Sequence, residues 1–463
     1  MIYWWMILGI FLWFLIKASL VRSADLAVHE GQPDSLGFWP LVATLLATAI
    51  GGGLIFGLIQ FGRTAGTVGV LLGLVYLGSF VAIGFLSPHI RRACRSMAEG
   101  ASGSEGEALS VPGLLARKYG KVSWSLILLA YGIVYIGFLG AQYAAIALVL
   151  QAMGLTVGSV PVVIVSALAV FLYVSLAGFR AVVSSDIIQL SLTAVIFVVG
   201  LILVFLHGTP EFRSVAPVYW NPFLSKEMTS TFVWLAVFIF PTLLLRLDHW
   251  QRIVAAESDR TAFRAYVTAG GLLALVFGVL LWVGAGSIGG ESPFFLYREY
   301  LLGEGGWWRE IAYGLALCGF LAAIVSSADT ILNSAASAIS QAFRGWGLRG
   351  SERISTLIGI SFALTGLSTV LAIAKPDVVT LITEGFKAMT ILLPAVAAAI
   401  LLRNPHRIAA GASVVGGFVA YILVVVMWGR AQQWAYVVGF VVALVCMVGV
   451  SSVDRRSRSE VSG

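Results

Sequence analysis

The sequence predicts an all-α polytopic membrane protein, and three observations carry that prediction. Apolar residues make up 59% of the 463 and charged residues only 11%. Many apolar runs reach the length of about 20 helical residues that crosses a hydrocarbon core of about 30 Å. Basic residues gather in the short stretches between those runs, which is a topology pattern rather than a nucleic-acid surface, although the formal net charge is +7. The expected surroundings are therefore a lipid bilayer, with no nucleic acid and no obligate protein partner. Cys94, Cys318 and Cys446 lie far apart without metal-ligand spacing, so neither a disulfide framework nor a zinc site is expected.

By length, about 13 transmembrane helices follow one another along the chain. The first span, 1–17, reads "MIYWWMILGIFLWFLIK"; it lacks the basic leader and small-residue cleavage site of a signal peptide and is expected to be retained. Span two, 38–61, is interrupted by three glycines in "ATAIGGGLIFGL". Span three, 66–90, is followed by Arg91, Arg92, Arg95, Arg117, Lys118 and Lys121. Spans four to six cover 122–151, 155–178 and 181–207, and span seven, 229–250, has Pro241 near its centre. Span eight, 265–289, leads into the acidic loop "GGESPFFLYREYLLGEGG". Spans nine to thirteen cover 310–341, 353–374, 377–402, 406–428 and 432–453. Counted over alternate loops, with Lys17, Arg22, Arg455, Arg456 and Arg458, the basic bias places the N-terminus outside and the C-terminus in the cytoplasm of a multi-pass cell-membrane protein.

The interruptions organise the chain. A backbone opened in lipid costs several kcal/mol per unsatisfied group, so it persists only inside protein or beside a water-filled cavity. The glycines of span two and Pro241 of span seven are five spans apart, the spacing that a five-plus-five inverted repeat with discontinuous first helices produces. Each alone has a simpler reading, close helix packing for the glycines and an ordinary kink for the proline. Together they favour four segments: 1–37, an extra helix and cytoplasmic loop; 38–207, the first five-helix repeat; 229–402, the second; and 403–463, two additional helices with a short cytoplasmic tail.

Carbonyls freed at a break are oxygen ligands for a hard cation. Span nine carries "LAAIVSSADTILNSAAS", where Ser326 and Ser327 set two hydroxyls side by side, one turn from the Ala323 carbonyl. Brought to the break at Ala47 to Ile50, these groups would supply five neutral oxygens, enough for a monovalent cation. The competing reading is that serines in membrane helices bond their own i−4 carbonyls. Asp329, two residues past Ser327 and on another face, is expected to play a hydrogen-bonded structural role.

Several stretches resemble the solute:sodium symporter family, which includes the sodium-coupled sugar, proline, pantothenate and choline transporters. They are the breaks, "SSADTILNS", "GFRAVVSSDIIQ", "WQRIVAAES" and "SVPGLLARKYG", and the likeness runs from about residue 38 to 402. The resemblance implies the leucine-transporter fold, secondary transport driven by sodium ion, and a sodium site built from the carbonyls of Ala47, Ile50 and Ala323 with the hydroxyls of Ser326 and Ser327. It also implies that Asp186 acts as a charge behind those ligands.

For the solute, the candidates are residues at membrane depth, where polar groups are costly. Gly51, Gly52 and Gly53 mark the break, and Gln60, Gln142 and Tyr143 could line a cavity or be satisfied by neighbours. Glu384 and Lys387 are three apart, a spacing that serves either a binding site or a packing pair. Arg246 follows Pro241 in "TLLLRLDHWQR", and Asp248 stands about 200° from it on a helix, so no pair between them is assured. Aligned on the QR motif, Arg246 falls where the choline branch presents an aromatic residue to its amine. An arginine there would fork onto a carboxylate, favouring an amino acid or organic acid ahead of a choline-like amine or a sugar. The alternative is that Arg246 snorkels to the cytoplasmic interface or pairs with an acidic residue of another helix.

Other classes are disfavoured. The five histidines are scattered without an HExxH or triad arrangement, so no enzyme is expected. A channel would show a continuous polar lining. A sensor would need an output domain, and only ten residues follow Val453.

Overall fold

The computed structural model describes residues 2–20, 30–31, 35–65, 69–98, 111–154, 156–207, 241–286, 306–346, 348, 350, 353–402, 405–428 and 434–461. In chain order the helices are α1 (Ile2–Leu20), α2 (Phe38–Ala49), α3 (Gly52–Ala65), α4 (Gly69–Ala98), α5 (Val111–Ala152) and α6 (Ser159–His207). They continue with α7 (Leu247–Ala255), α8 (Asp259–Gly286), α9 (Trp307–Gly345), α10 (Ile354–Ala374), α11 (Val378–Leu401), α12 (Arg407–Trp428) and α13 (Ala435–Val461). The fold class is all-α, as its composition requires.

Among the described residues, ten helical stretches are long and apolar enough to span a bilayer, and α2 with α3, bent by 55°, makes an eleventh. Two of the expected spans account for the difference. The apolar part of α1 is the shorter Trp4–Leu20, and most of span seven, 229–240, lies outside the described residues. Two glycines subdivide the long helices, Gly120 in α5 (φ 73°, ψ 177°) and Gly178 in α6 (φ 57°, ψ −147°). Side-chain-bearing residues avoid that backbone region, so glycine is what permits these corners. Residues 111–119 accordingly form a short helix of their own ahead of a spanning one.

The spanning stretches within α5 and α9 are 72% and 83% buried, against 28–56% for the other long spans, so these two helices form the axis of the bundle. α9 packs on α6 and α5, α4 on α8, α11 on α5, and α12 on α13. Exposed side chains such as Leu129, Val165, Leu275, Val426 and Val445 cover the outside with the apolar surface a hydrocarbon core solvates.

The two broken segments meet end to start. Leu36 N–H donates to the Ala255 carbonyl at 2.7 Å and Glu257 N–H to the Leu36 carbonyl at 2.9 Å, so the chain enters α2 beside the point where it leaves α7, and the two run in opposite directions. Arg91 of α4 locks that corner. Its Nε donates to Asp259 Oδ1 at 2.7 Å, and Nη1 donates to the carbonyls of Ile253 (2.7 Å), Val254 (3.2 Å) and Ala256. A guanidinium at a helix C-terminus satisfies carbonyls that have no helical N–H to receive, and it complements the negative dipole end.

Candidate functional site

At the first break, α2 stops at Ala49 and Ile50 leaves helical geometry (φ −84°, ψ 62°). Ile50 N–H still donates to the Leu46 carbonyl, and Ile55 N–H to that of Gly51. Among the described residues no backbone N–H closes on the carbonyls of Ala47, Ala49 or Ile50. Gln142 of α5 takes the first free N–H on the other side, its Oε1 accepting from Gly52 N at 2.9 Å. Gln142 therefore caps the half-helix α3 rather than standing free in a cavity.

α9 presses both serines onto this break. Ser327 Oγ donates to the Thr48 carbonyl at 2.6 Å, and Ser326 Oγ donates to Asp186 Oδ1 at 2.5 Å. Both hydroxyl hydrogens are thus committed to protein acceptors, which leaves oxygen lone pairs to meet a cation. All of Ala47, Ile50, Ala323, Ser326 and Ser327 are buried. Thr48 adds a backbone oxygen to the neighbourhood that the sequence reading did not include.

Behind the serines lies a network that sequence reasoning missed. Arg252 of α7 is 1% exposed. Its Nη2 donates to Thr44 Oγ1 at 2.7 Å, Thr48 Oγ1 at 2.5 Å and Thr330 Oγ1 at 3.1 Å, and lies 3.5 Å from Asp186 Oδ2. Thr44 also donates to Asp186 Oδ2. Asp186 is fully buried and accepts from Thr44 of α2 and Ser326 of α9. A signal was available: an arginine at membrane depth, in the quoted "WQRIVAAES", is costly enough to demand a role.

Asp329 is 0% exposed, and its carboxylate stands against Thr330 of its own helix. It lies close to Tyr173, but that hydroxyl bonds to Ser185 and to the Ala181 carbonyl instead.

In the second segment a helical stretch runs over 241–245, starting at Pro241, with the residues before it outside the described ones, and the chain leaves helical geometry at Arg246 (φ −72°, ψ 126°). Because Arg246 is extended, the 200° helical separation from Asp248 does not apply. Its Nε donates to Asp248 Oδ1 at 2.9 Å and its Nη2 to Oδ2 at 2.8 Å, a two-pronged pair that occupies the fork predicted to hold a solute carboxylate. Tyrosines of α5 take the opened backbone: Tyr131 hydroxyl donates to the Leu245 carbonyl at 2.8 Å, and Leu247 N–H donates to the Tyr135 hydroxyl at 2.7 Å. This break is filled by protein, whereas the first keeps unpaired carbonyls.

The remaining solute candidates fall elsewhere. The space beside Gly51, Gly52 and Gly53 is filled by Ser327, Ala145 and Ile382, so these glycines let α9, α5 and α11 approach the backbone. Replacing Gly51 by alanine would drive a methyl into Ser327, pushing its hydroxyl off Thr48. The expected result is loss of most of any sodium-induced thermal stabilisation, while Gly57→Ala, beside which nothing stands within 4 Å, leaves it unchanged. Glu384 and Lys387 do pair at 3.1 Å, but they turn toward α13. Glu384 accepts from the Tyr436 hydroxyl, and Lys387 Nζ stands 5.2 Å from that ring's centroid. Their neighbours Ile382, Gly385 and Phe386 meet α3 and α5 on the opposite side. The pair therefore clasps a C-terminal helix and does not line the space beside the break. Tyr143 is buried, with its hydroxyl against Thr365 of α10. The side chain of Gln60 lies outside the described ones.

Comparison with solved structures yields the fold. A Na+-coupled sialic acid symporter in a substrate-bound, outward-open state superposes with a TM-score of 0.78, covering 98% of each chain at 14% identity. A nucleobase-cation-symport-1 family transporter in a closed conformation with bromovinylhydantoin bound gives 0.57, with 94% of this chain and 95% of that one covered at 14% identity. MhsT in complex with L-phenylalanine gives 0.54, with 91% and 99% covered at 15% identity. These chains share the leucine-transporter-type fold found here. No family model matches the sequence. No curated protein matches it either.

Proposed function

We propose that this chain is a sodium-coupled secondary symporter that imports a small organic solute by alternating access, in the manner of the solute:sodium symporter family its motifs resemble. The observation that carries the reading is the first break. Unpaired carbonyls of Ala47 and Ile50 lie where Ser326 and Ser327 arrive with their hydrogens already donated elsewhere and Asp186 behind them. Neutral oxygens backed by one carboxylate suit a hard monovalent cation. The ligand set is Ala47, Ile50, Ala323, Ser326 and Ser327. The fold supports transport, since the superposed structures include symporters. The N-terminus is outside and the C-terminus cytoplasmic, on the basic-loop bias.

The solute is a small organic molecule. The residue-level reason for preferring a carboxylate over an amine or sugar rested on Arg246, whose fork Asp248 fills.

The test is thermal unfolding of the purified protein in sodium and in potassium, followed by a metabolite screen in each salt. Sodium at about 100 times its dissociation constant stabilises the native state by roughly 2.7 kcal/mol. Sodium-selective stabilisation, and at least one metabolite whose effect needs sodium, is the expected outcome; equal responses to both salts overturn the reading.

A further inference from the structure

Where α4 ends and α8 begins, the outside of the bundle carries arginines that no carboxylate meets. Gly73 faces Phe277, Gly84 faces Phe263 and Arg91 bonds to Asp259, so α4 and α8 run antiparallel and side by side. Arg92, Arg260 and Arg264 are exposed at this corner. Among the described residues none of the three has a carboxylate partner. Asp259 is held by Arg91, and Glu257, in the turn before α8, accepts from Thr261 Oγ1 at 3.0 Å. Arg260 and Arg264 are four apart and share a face of α8, while Arg92, seven residues after Phe85, shares its face of α4.

An apolar floor lies on the bilayer side of these arginines. Phe85 is 63% exposed, and its ring centroid stands 4.9 Å from that of Phe263 on α8. At 1.5 Å per residue, Arg92 is about 10 Å beyond Phe85 toward the helix end, and Arg260 about 4.5 Å beyond Phe263. His89, exposed on the same face of α4, falls between Phe85 and Arg92. The depth is marked by Trp39 at the start of α2, 70% exposed, since an exposed indole belongs at the headgroup level. Arg264 reaches that level, because its guanidinium lies 5.5 Å from the ring centroid of Phe38, the neighbour of Trp39. Other exposed arginines are differently placed. Arg353 caps α10 and Arg407 opens α12, one to a helix start.

We infer that this face of α4 and α8 binds an anionic phospholipid, its phosphate held by Arg92, Arg260 and Arg264 and an acyl chain laid along Phe85 and Phe263. Basic pockets between spanning helices take such headgroups, and a guanidinium forks onto phosphate oxygens. On the basic-loop orientation the lipid belongs to the inner leaflet. Arg264 ties it to the broken helix, for Phe38 is the first residue of α2 and the break at Ile50 follows its last. A bound headgroup fixes Arg264, and with it the start of α2. The site stands whether or not sodium drives transport.

The test is native mass spectrometry of the purified full chain, titrated with dioleoylphosphatidylglycerol or dioleoylphosphatidylcholine. Wild type should prefer phosphatidylglycerol. Arg92→Gln, Arg260→Gln and Arg264→Gln together should cost about a hundredfold in that affinity, at about fivefold per arginine, with phosphatidylcholine binding unchanged. A charge-matched triple, Arg180→Gln with Arg353→Gln and Arg407→Gln, should behave as wild type. Each protein is first checked for monodispersity and unfolding midpoint in phosphatidylcholine; if the first triple is destabilised, Arg260→Gln alone should still show the fivefold loss. Equal losses in the two triples, or undiminished phosphatidylglycerol binding in the first, overturn the site. Displacement of the lipid by millimolar inorganic phosphate, with Phe85→Ala binding as wild type, would reveal a simple anion site and overturn the lipid assignment. Amide exchange over residues 38–41 should slow in phosphatidylglycerol for wild type and not for the first triple. Lipid binding without that slowing overturns the link to α2.

Discussion

Alanine at both Ser326 and Ser327 abolishes sodium-stimulated uptake and the sodium-dependent rise in melting temperature, while the protein stays folded in sodium-free buffer. The two halves of this expectation have separate causes. The hydroxyls supply two of the five proposed oxygens, and a monovalent cation held by neutral groups does not tolerate losing both. A wild-type gain of about 2.7 kcal/mol at a hundredfold excess of sodium over its dissociation constant should fall close to zero. Folding survives because each neutral hydrogen bond removed contributes only about 0.5–1.5 kcal/mol. Asp186 also keeps Thr44 and Arg252 after Ser326 is lost. The single variants are informative as well. Ser326→Ala touches the Asp186–Arg252 network, whereas Ser327→Ala touches only the Thr48 carbonyl. If the double variant responds to sodium as the wild type does, the site has been misplaced.

What could be read in the sequence follows a physical line. Spanning helices were legible because a bilayer demands long apolar runs, and the break at Ile50 and Gly51 was legible because three adjacent glycines oppose a helix. Pro241 is the obvious breaker of span seven, but it gives no sign of the non-helical residue at Arg246, where a buried ion pair and two tyrosines stabilise an extended backbone. No local signal marks that, since the partners come from α5. The serine pair was found from adjacency and family likeness. The Thr44, Thr48, Thr330 and Arg252 network was not, because its members are spread over three helices and carry no common spacing. The charges Glu384 and Lys387 were seen as a pair, but which way they face depends on α13, a helix outside the repeats. Sequence periodicity gives a helix its faces; only packing says what each face meets.

Arg246 is paired with Asp248, and the two readings of this arginine, solute ligand and ion-pair partner, predict different losses on substitution. Read as a solute ligand, Arg246→Gln should weaken binding far more than it lowers stability. In the structure Arg246 and Asp248 are both at least 92% buried and joined by two charge-assisted bonds, with Tyr135 hydroxyl 3.3 Å from Asp248 Oδ1. Removing one member of such a pair strands the other, a loss of about 3–5 kcal/mol in well-buried cases. Arg252 Nη1, 3.9 Å from Asp248 Oδ2, offsets part of this and places Arg246→Gln toward the lower end of that range. Replacing both by apolar residues of similar size, Arg246→Met with Asp248→Leu, removes the stranded charge and should recover most of the stability, because a buried pair and a packed apolar core are often close in free energy. Unfolding midpoints of the two single variants and the double decide between the readings. A double variant more stable than either single identifies the pair as the clasp that holds the second break shut. An Arg246→Gln protein with wild-type stability and impaired solute binding would return the arginine to the solute site. On the clasp reading the two breaks divide their labour: the first keeps open carbonyls for a cation, and the second, closed by its own ion pair, holds α7 rigid so that Arg252 reaches across to Asp186.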